Sequence, residues 1–221
     1  MSVGSKVLIT GLSNAGKTTL LKPLKNVLVV SRDGKPFSLE LPHVNVGEYS
    51  RIDELLDIVQ SKLDAYKERF NEYPDTIVFD SVSRIFTDIE TSCSKRFDGF
   101  KIWDAINKEI NTFVEAISDL QSNGFNVVLI AHAVWDEKAG KYVETCKGSF
   151  QKIGGWLSTV DYALNIDTIG SKRIVTHRGN SLSRTLLEGI PDKEDANTFN
   201  LQEYLDKIHS KANVVTEKWS I

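Results

Sequence analysis

Cysteine is scarce in this chain. There are two in 221 residues, Cys93 and Cys146. They stand far apart with no metal-ligand spacing, so a disulfide scaffold or a thiolate metal site is excluded. Free thiols in a reducing cytoplasmic setting are the expected state. Long hydrophobic runs are also missing. No apolar stretch approaches the ~20 residues that a membrane-spanning helix needs, and no membrane partner is expected. Met1 to Gly4 leads directly into an apolar strand, which predicts no signal peptide. Internal repeats and low-complexity segments are absent. Positive charge is not in excess, with 27 Lys and Arg against 30 Asp and Glu and a net charge of −3. That argues against a globally basic nucleic-acid binder but leaves local basic clusters open.

What remains is ordinary globular material, 41% hydrophobic and 26% charged. The length suits one large α/β domain that buries its own core. We expect residues 1–221 to form a single unit, with a core over about 5–180 and an extension over 181–221.

The most informative stretch is Gly11-Leu12-Ser13-Asn14-Ala15-Gly16-Lys17-Thr18. It fits G-x-x-x-x-G-K-[ST], a phosphate-binding loop. The apolar run Lys6–Thr10 before it reads as a buried strand, and Thr19–Lys22 after it as the first turns of a helix that stops near Pro23. Glycine at 11 and 16 lets the backbone curl around phosphate oxygens. Loop N–H groups, from Gly11 through Thr19, then point at the anion. Lys17 reaches the terminal phosphates, and the Thr18 hydroxyl suits Mg²⁺, which prefers hard oxygen ligands.

Further strands are expected at Asn26–Ser31, Thr76–Asp80, Asn126–His132, Tyr162–Ile166 and Lys172–Thr176, with short ones at Phe37–Leu41 and His43–Val46. Helical spacing marks Glu48–Phe70, capped by Ser50 with Asp53, and Ile102–Ser122, ended by Gly124. Val82–Thr91 is a short helix or loop, Ser92–Lys101 a polar segment and Leu182–Asp195 loop. A closing helix spans Asn200–Lys211, with a flexible tail after Ala212. Alternating strands and helices predict an α/β fold with a mostly parallel central sheet flanked by helices.

Asp80 ends an apolar strand downstream of the loop, where a carboxylate partners Mg²⁺. Ser81 follows it, so an attacking water needs another base. Asp33, just past the second strand, is the candidate and Glu48 a weaker one. The loops after parallel strands share one ligand-binding edge. His132 ends a strand on that edge and is a candidate sensor of the terminal phosphate. Arg178 and Arg184 are candidate arginines for a neighbouring subunit's nucleotide. Two segments combine cations with aromatics in a way that suits single-stranded nucleic acid. One is Ser92–Trp103, with Lys95, Arg96, Lys101, Phe97 and Phe100. The other is Trp135–Lys152, with Lys138, Lys141, Lys147, Tyr142 and Phe150. A solvated charged face with the aromatics turned inward is the alternative.

Four stretches together resemble a RecA-type P-loop ATPase. They are the loop at 11–18, Val27–Gly34, Ile77–Arg84 and Val127–His132. The chain is most similar to the minimal RecA-like proteins of bacteriophages, the Sak-four type of single-strand annealing protein. The resemblance implies a RecA-like core, ATP and Mg²⁺ at Lys17, Thr18 and Asp80, a catalytic acid at Asp33 and a sensor at His132. It implies that the loops after Asp80 and His132 meet single-stranded DNA. It also implies a single-strand-binding protein as partner, a homo-oligomer, and action in the host cytoplasm if phage-encoded. Asp33 and His132 stand where such enzymes usually carry glutamate and glutamine. A small P-loop kinase and a non-hydrolysing nucleotide-binding regulator remain competing readings. The kinase needs an arginine-bearing lid, and the chain has no clear Arg-x-x-x-Arg cluster.

Overall fold

The computed structural model describes the backbone of residues 3–32 and 36–219 and side chains as far as Lys211. In chain order the elements are β1 (Lys6–Gly11), β2 (Val27–Ser31), β3 (His43–Asn45), α1 (Ile52–Phe70), β4 (Thr76–Asp80), α2 (Val82–Arg96), α3 (Lys101–Ser122), β5 (Asn126–Asp136), β6 (Lys141–Glu144), α4 (Gly148–Lys152), β7 (Tyr162–Ile169), β8 (Lys172–Thr176), β9 (Lys193–Asp195) and α5 (Leu201–Trp219). Short 3-10 turns cover Thr18–Leu21 and Gly155–Thr159.

The sheet order is β3-β2-β4-β5-β1-β7-β8-β9, with β6 paired to β5 alone. All pairings from β3 to β7 are parallel, and β8 and β9 are added antiparallel. The central strands are apolar on both faces because both faces are covered. Leu8, Ile77, Phe79, Val127 and Leu129 point into a cluster under α1, α2 and α3. Val7, Ile9, Val78, Val128 and Ile130 point into a second cluster under α5. Phe113 of α3 fills the first cluster, its ring edge-on to Phe79 and Trp156.

Several expectations are corrected. Phe37–Leu41 forms no strand. Its apolar residues Phe37, Leu39 and Leu41 pack on the second cluster without joining the sheet. Ser50 does not cap α1 with its side chain. The N-cap is Arg51, Ser50 N–H donates to Glu54 at 2.8 Å, and Ile52 N–H donates to Glu109 of α3 at 2.8 Å. α2 runs to Arg96, past the expected end at Thr91, with Ser81 accepting from Arg84 N–H as its cap. α5 continues as helix to Trp219, beyond the tail expected after Ala212. Among the described residues, no helix is long and apolar enough to cross a membrane.

Candidate nucleotide site

β1 ends at Gly11 with β5 and β7 on either side, in register with His132 and Ile166. A Cβ on Gly11 would stand 2.4 Å from the Ile166 carbonyl oxygen. Close passage of β7 therefore demands glycine here, a reason beyond the phosphate approach read from the motif. The loop then turns through Asn14 and Gly16, at φ 63° and 99°. Positive φ suits these two residue types best. A Cβ on Gly16 would meet the Arg173 side chain at 3.2 Å.

Lys17 is 6% exposed. Its Nζ donates to the carbonyls of Gly11 at 3.0 Å and Leu12 at 2.8 Å, spanning the mouth of its own loop. Thr18 follows at the head of the 3-10 turn Thr18–Leu21, where the first turns of a helix stopping near Pro23 were expected. Its Oγ1 donates to Asp80 Oδ2 at 2.8 Å. Asp80, also 6% exposed, ends β4 between Ser31 and Ile130 of the neighbouring strands. The two motifs read separately along the chain thus meet through one hydrogen bond. With its proton given to Asp80, the Thr18 hydroxyl keeps lone pairs for a hard cation, and both oxygens fit Mg²⁺.

These residues line a cavity of about 350 Å³ that also takes in Ser13, Asn14, Thr19, His132, Phe37 and Arg173. β5 was expected to end at His132 but runs on to Asp136, so His132 reaches the cavity from within the strand, where pairing passes from β1 to β6. The His132 N–H donates to Ser83 Oγ at 2.8 Å, and its carbonyl accepts from Thr145 N–H at 3.2 Å. His132 is therefore tied to the first turn of α2 and to the segment after β6. Asp33, the expected base, lies outside the described residues. Arg32 beside it donates its N–H to the Asp80 carbonyl at 2.6 Å and pairs with Asp88 at 2.8 Å. Arg84 reaches the same carboxylate at 3.2 Å. The ion pair is largely buried, and removing one partner of such a pair costs roughly 3–5 kcal/mol. The end of β2 is thereby pinned to α2. Tyr49 packs under Arg32, and burial pushes its hydroxyl well above the usual range. Glu48 is exposed and does not line the cavity.

Arg178 and Arg184 have partners within the chain. Arg178 Nη1 donates to the Ile190 carbonyl at 2.8 Å and pairs with Asp192, while Arg184 donates to the carbonyls of Leu157 and Val160. Neither lines the cavity, whereas Arg173 does. The motif search missed Arg173 because its place depends on the register of an antiparallel hairpin rather than on local spacing.

The two cation-and-aromatic segments meet each other. A Cβ on Gly148 would stand 2.8 Å from the Trp103 ring, and Ser149 donates to Asn107 at 2.6 Å. The first segment is not one loop. Lys95 and Arg96 end α2 and Lys101 starts α3, with Phe97 to Phe100 between them. Phe100 is 90% exposed and Trp135 53%. Lys95, Lys101, Lys138 and Lys141 are exposed. Arg96 pairs with Glu109 at 3.1 Å and Lys147 with Glu90 at 3.1 Å. Phe150 is core, packed on Trp156, and Tyr142 packs on Trp135 with its hydroxyl on Asp167.

A parallel sheet with a phosphate loop after β1 and an acid at the end of β4, with β5 between them, is a P-loop nucleotide-binding architecture. A family model of the AAA domain matches residues 4–182, and the chain belongs to that family of ATPase-type domains. Comparison with curated proteins finds no match.

Proposed function

We propose that this chain binds ATP with Mg²⁺ in the cavity and hydrolyses it while engaged on single-stranded DNA, as the phage annealing proteins it resembles do. Residues 1–221 act as one unit in this reading, as a homo-oligomer working beside a single-strand-binding protein. The observation that carries the nucleotide assignment is the Thr18 hydroxyl on the Asp80 carboxylate, 2.8 Å apart, beside the buried Lys17. Loop N–H groups between Ser13 and Thr18 hold phosphate oxygens, and Lys17 leaves the Gly11 and Leu12 carbonyls to meet the terminal phosphates. Mg²⁺ held through Thr18 and Asp80 supplies charge neutralisation on the phosphate chain. Asp33 orients the water, and His132 reads the terminal phosphate. Support for the DNA half comes from Phe100, Trp135, Lys101, Lys138 and Lys141. Phe100 and Lys101 are exposed between α2 and α3, and Trp135, Lys138 and Lys141 on the far end of β5, its turn and β6, beyond His132. Cations track phosphates and rings stack on bases there.

The test is ATP turnover with and without single-stranded DNA across a salt series, with Lys17→Ala as control. Turnover that rises with DNA and loses that rise as salt increases is the expected result. Turnover indifferent to DNA removes the DNA half. Turnover unchanged in Lys17→Ala removes the site.

A further inference from the structure

We propose that Arg173 binds the phosphate chain of the nucleotide in its own subunit, so that the cavity receives its guanidinium in cis. This rests on the reading of the cavity as a triphosphate site. The placement follows from topology. β7 runs parallel to β1, with Ile166 beside Gly11, so its last residues extend past the start of the phosphate loop. The chain turns back at Gly170, at φ 63°, and Arg173 falls opposite Thr168, two residues beyond that register point. The Arg173 carbonyl accepts from Ala196 N–H at 2.9 Å, which fixes this backbone on its other edge. From there the side chain lies along the loop. Its Nη1 and Cδ stand 3.2 and 3.3 Å from the Cβ position of Gly16, on the wall that Lys17, Thr18 and Thr19 share.

Charge supports the assignment. Every ion pair among the described residues uses other cations, and none gives Arg173 a carboxylate. The two arginines that follow it, Arg178 and Arg184, are held by carbonyls away from the cavity. A planar guanidinium beside a phosphate loop matches phosphate oxygens in a fork geometry that an ammonium lacks.

Calorimetric titration of the full chain with Mg-ATP, ADP and adenosine tests this, using Arg173→Ala, Arg173→Gln and Arg173→Lys. Arg173→Gln keeps a polar, hydrogen-bonding side chain without the charge, and serves if the alanine variant melts early. Lys172→Ala is the neighbouring control. Loss of the guanidinium should weaken ATP and ADP by roughly tenfold or more and leave adenosine unchanged. Lysine should recover part of the loss, and Lys172→Ala should stay within about twofold of wild type. Binding of ATP by both Arg173→Ala and Arg173→Gln at wild-type affinity overturns the proposal. An equimolar mixture of Arg173→Ala and Lys17→Ala chains separates cis from trans. Recovered turnover means that the arginine serves a neighbour, and the proposal falls. A wild-type chain that binds no ATP defeats the underlying reading of the cavity instead.

Discussion

Thr18 and Asp80 make the cavity more than a sequence motif, because each defines the other's state. The hydroxyl proton is committed to the carboxylate at 2.8 Å, so the oxygen's lone pairs face the cavity. Replacing Asp80 by Asn leaves an amide that can itself donate, which turns the hydroxyl around and spoils a cation site. Asp80→Asn should therefore lower Mg-dependent turnover by about tenfold or more, and raise the Mg²⁺ concentration for half-maximal rate. A metal titration of turnover reads both, and an unshifted titration would remove Asp80 from the cation's surroundings. Lys17, Thr18 and Asp80 were legible in the sequence because a phosphate loop is local. Eight consecutive residues carry it, and the acid ends an apolar strand. Arg173 was not legible, since it reaches Gly16 only after a strand, a hairpin and a return strand have been paired.

Elements show the same division between local and distant causes. α1 and α3 were readable from apolar spacing because one face of each is buried. The end of α2 was hidden. After Ile89 only Cys93 is buried, and the rest of that stretch is polar and partly or fully exposed. The Phe37–Leu41 alternation reflects apolar residues packed on the second cluster rather than a strand. One element hangs on a single buried acid. Glu144 ends β6, and its carboxylate accepts from Trp156 N–H at 2.6 Å and Leu157 N–H at 2.7 Å, holding the 3-10 turn at 155–159. Burial raises its pKa from 4.5 to about 7, against the pull of those two donors. Cys146 beside it is pushed up to about 12, mainly by burial. A raised acid pKa favours the folded state below the unfolded value and loses that contribution as pH climbs through the folded one. Glu144 should thus contribute a fall in stability of up to about 3 kcal/mol between about pH 5 and pH 8. Burial lowers the pKa of His177, which slopes stability the other way over its own range. The comparison with Glu144→Gln isolates the acid. Denaturant melts across pH should show a flatter decline in the variant, and parallel curves would contradict the assignment.

Across the whole molecule, the sheet joins segments from opposite ends of the chain. β1 lies between β5 and β7, and the second cluster is completed by Leu201, Tyr204, Leu205 and Ile208 of α5. A chain ending at Val160 would leave one edge of β1 bare and half of that cluster open to water. Such a truncation should show no cooperative thermal transition by circular dichroism, whereas the full chain should melt cooperatively. A sharp melt of the truncated chain would refute this account. On a ribosome the same arrangement sets a schedule. The phosphate loop is made before the strands that flank it, so its strand waits unpaired until Asn126–His132 and then Tyr162–Ile166 have been made. During that interval Val7, Leu8 and Ile9 form a bare apolar ribbon, a docking point for holdase chaperones. Nucleotide can meet a finished cradle only after Tyr162–Ile166 has emerged and paired.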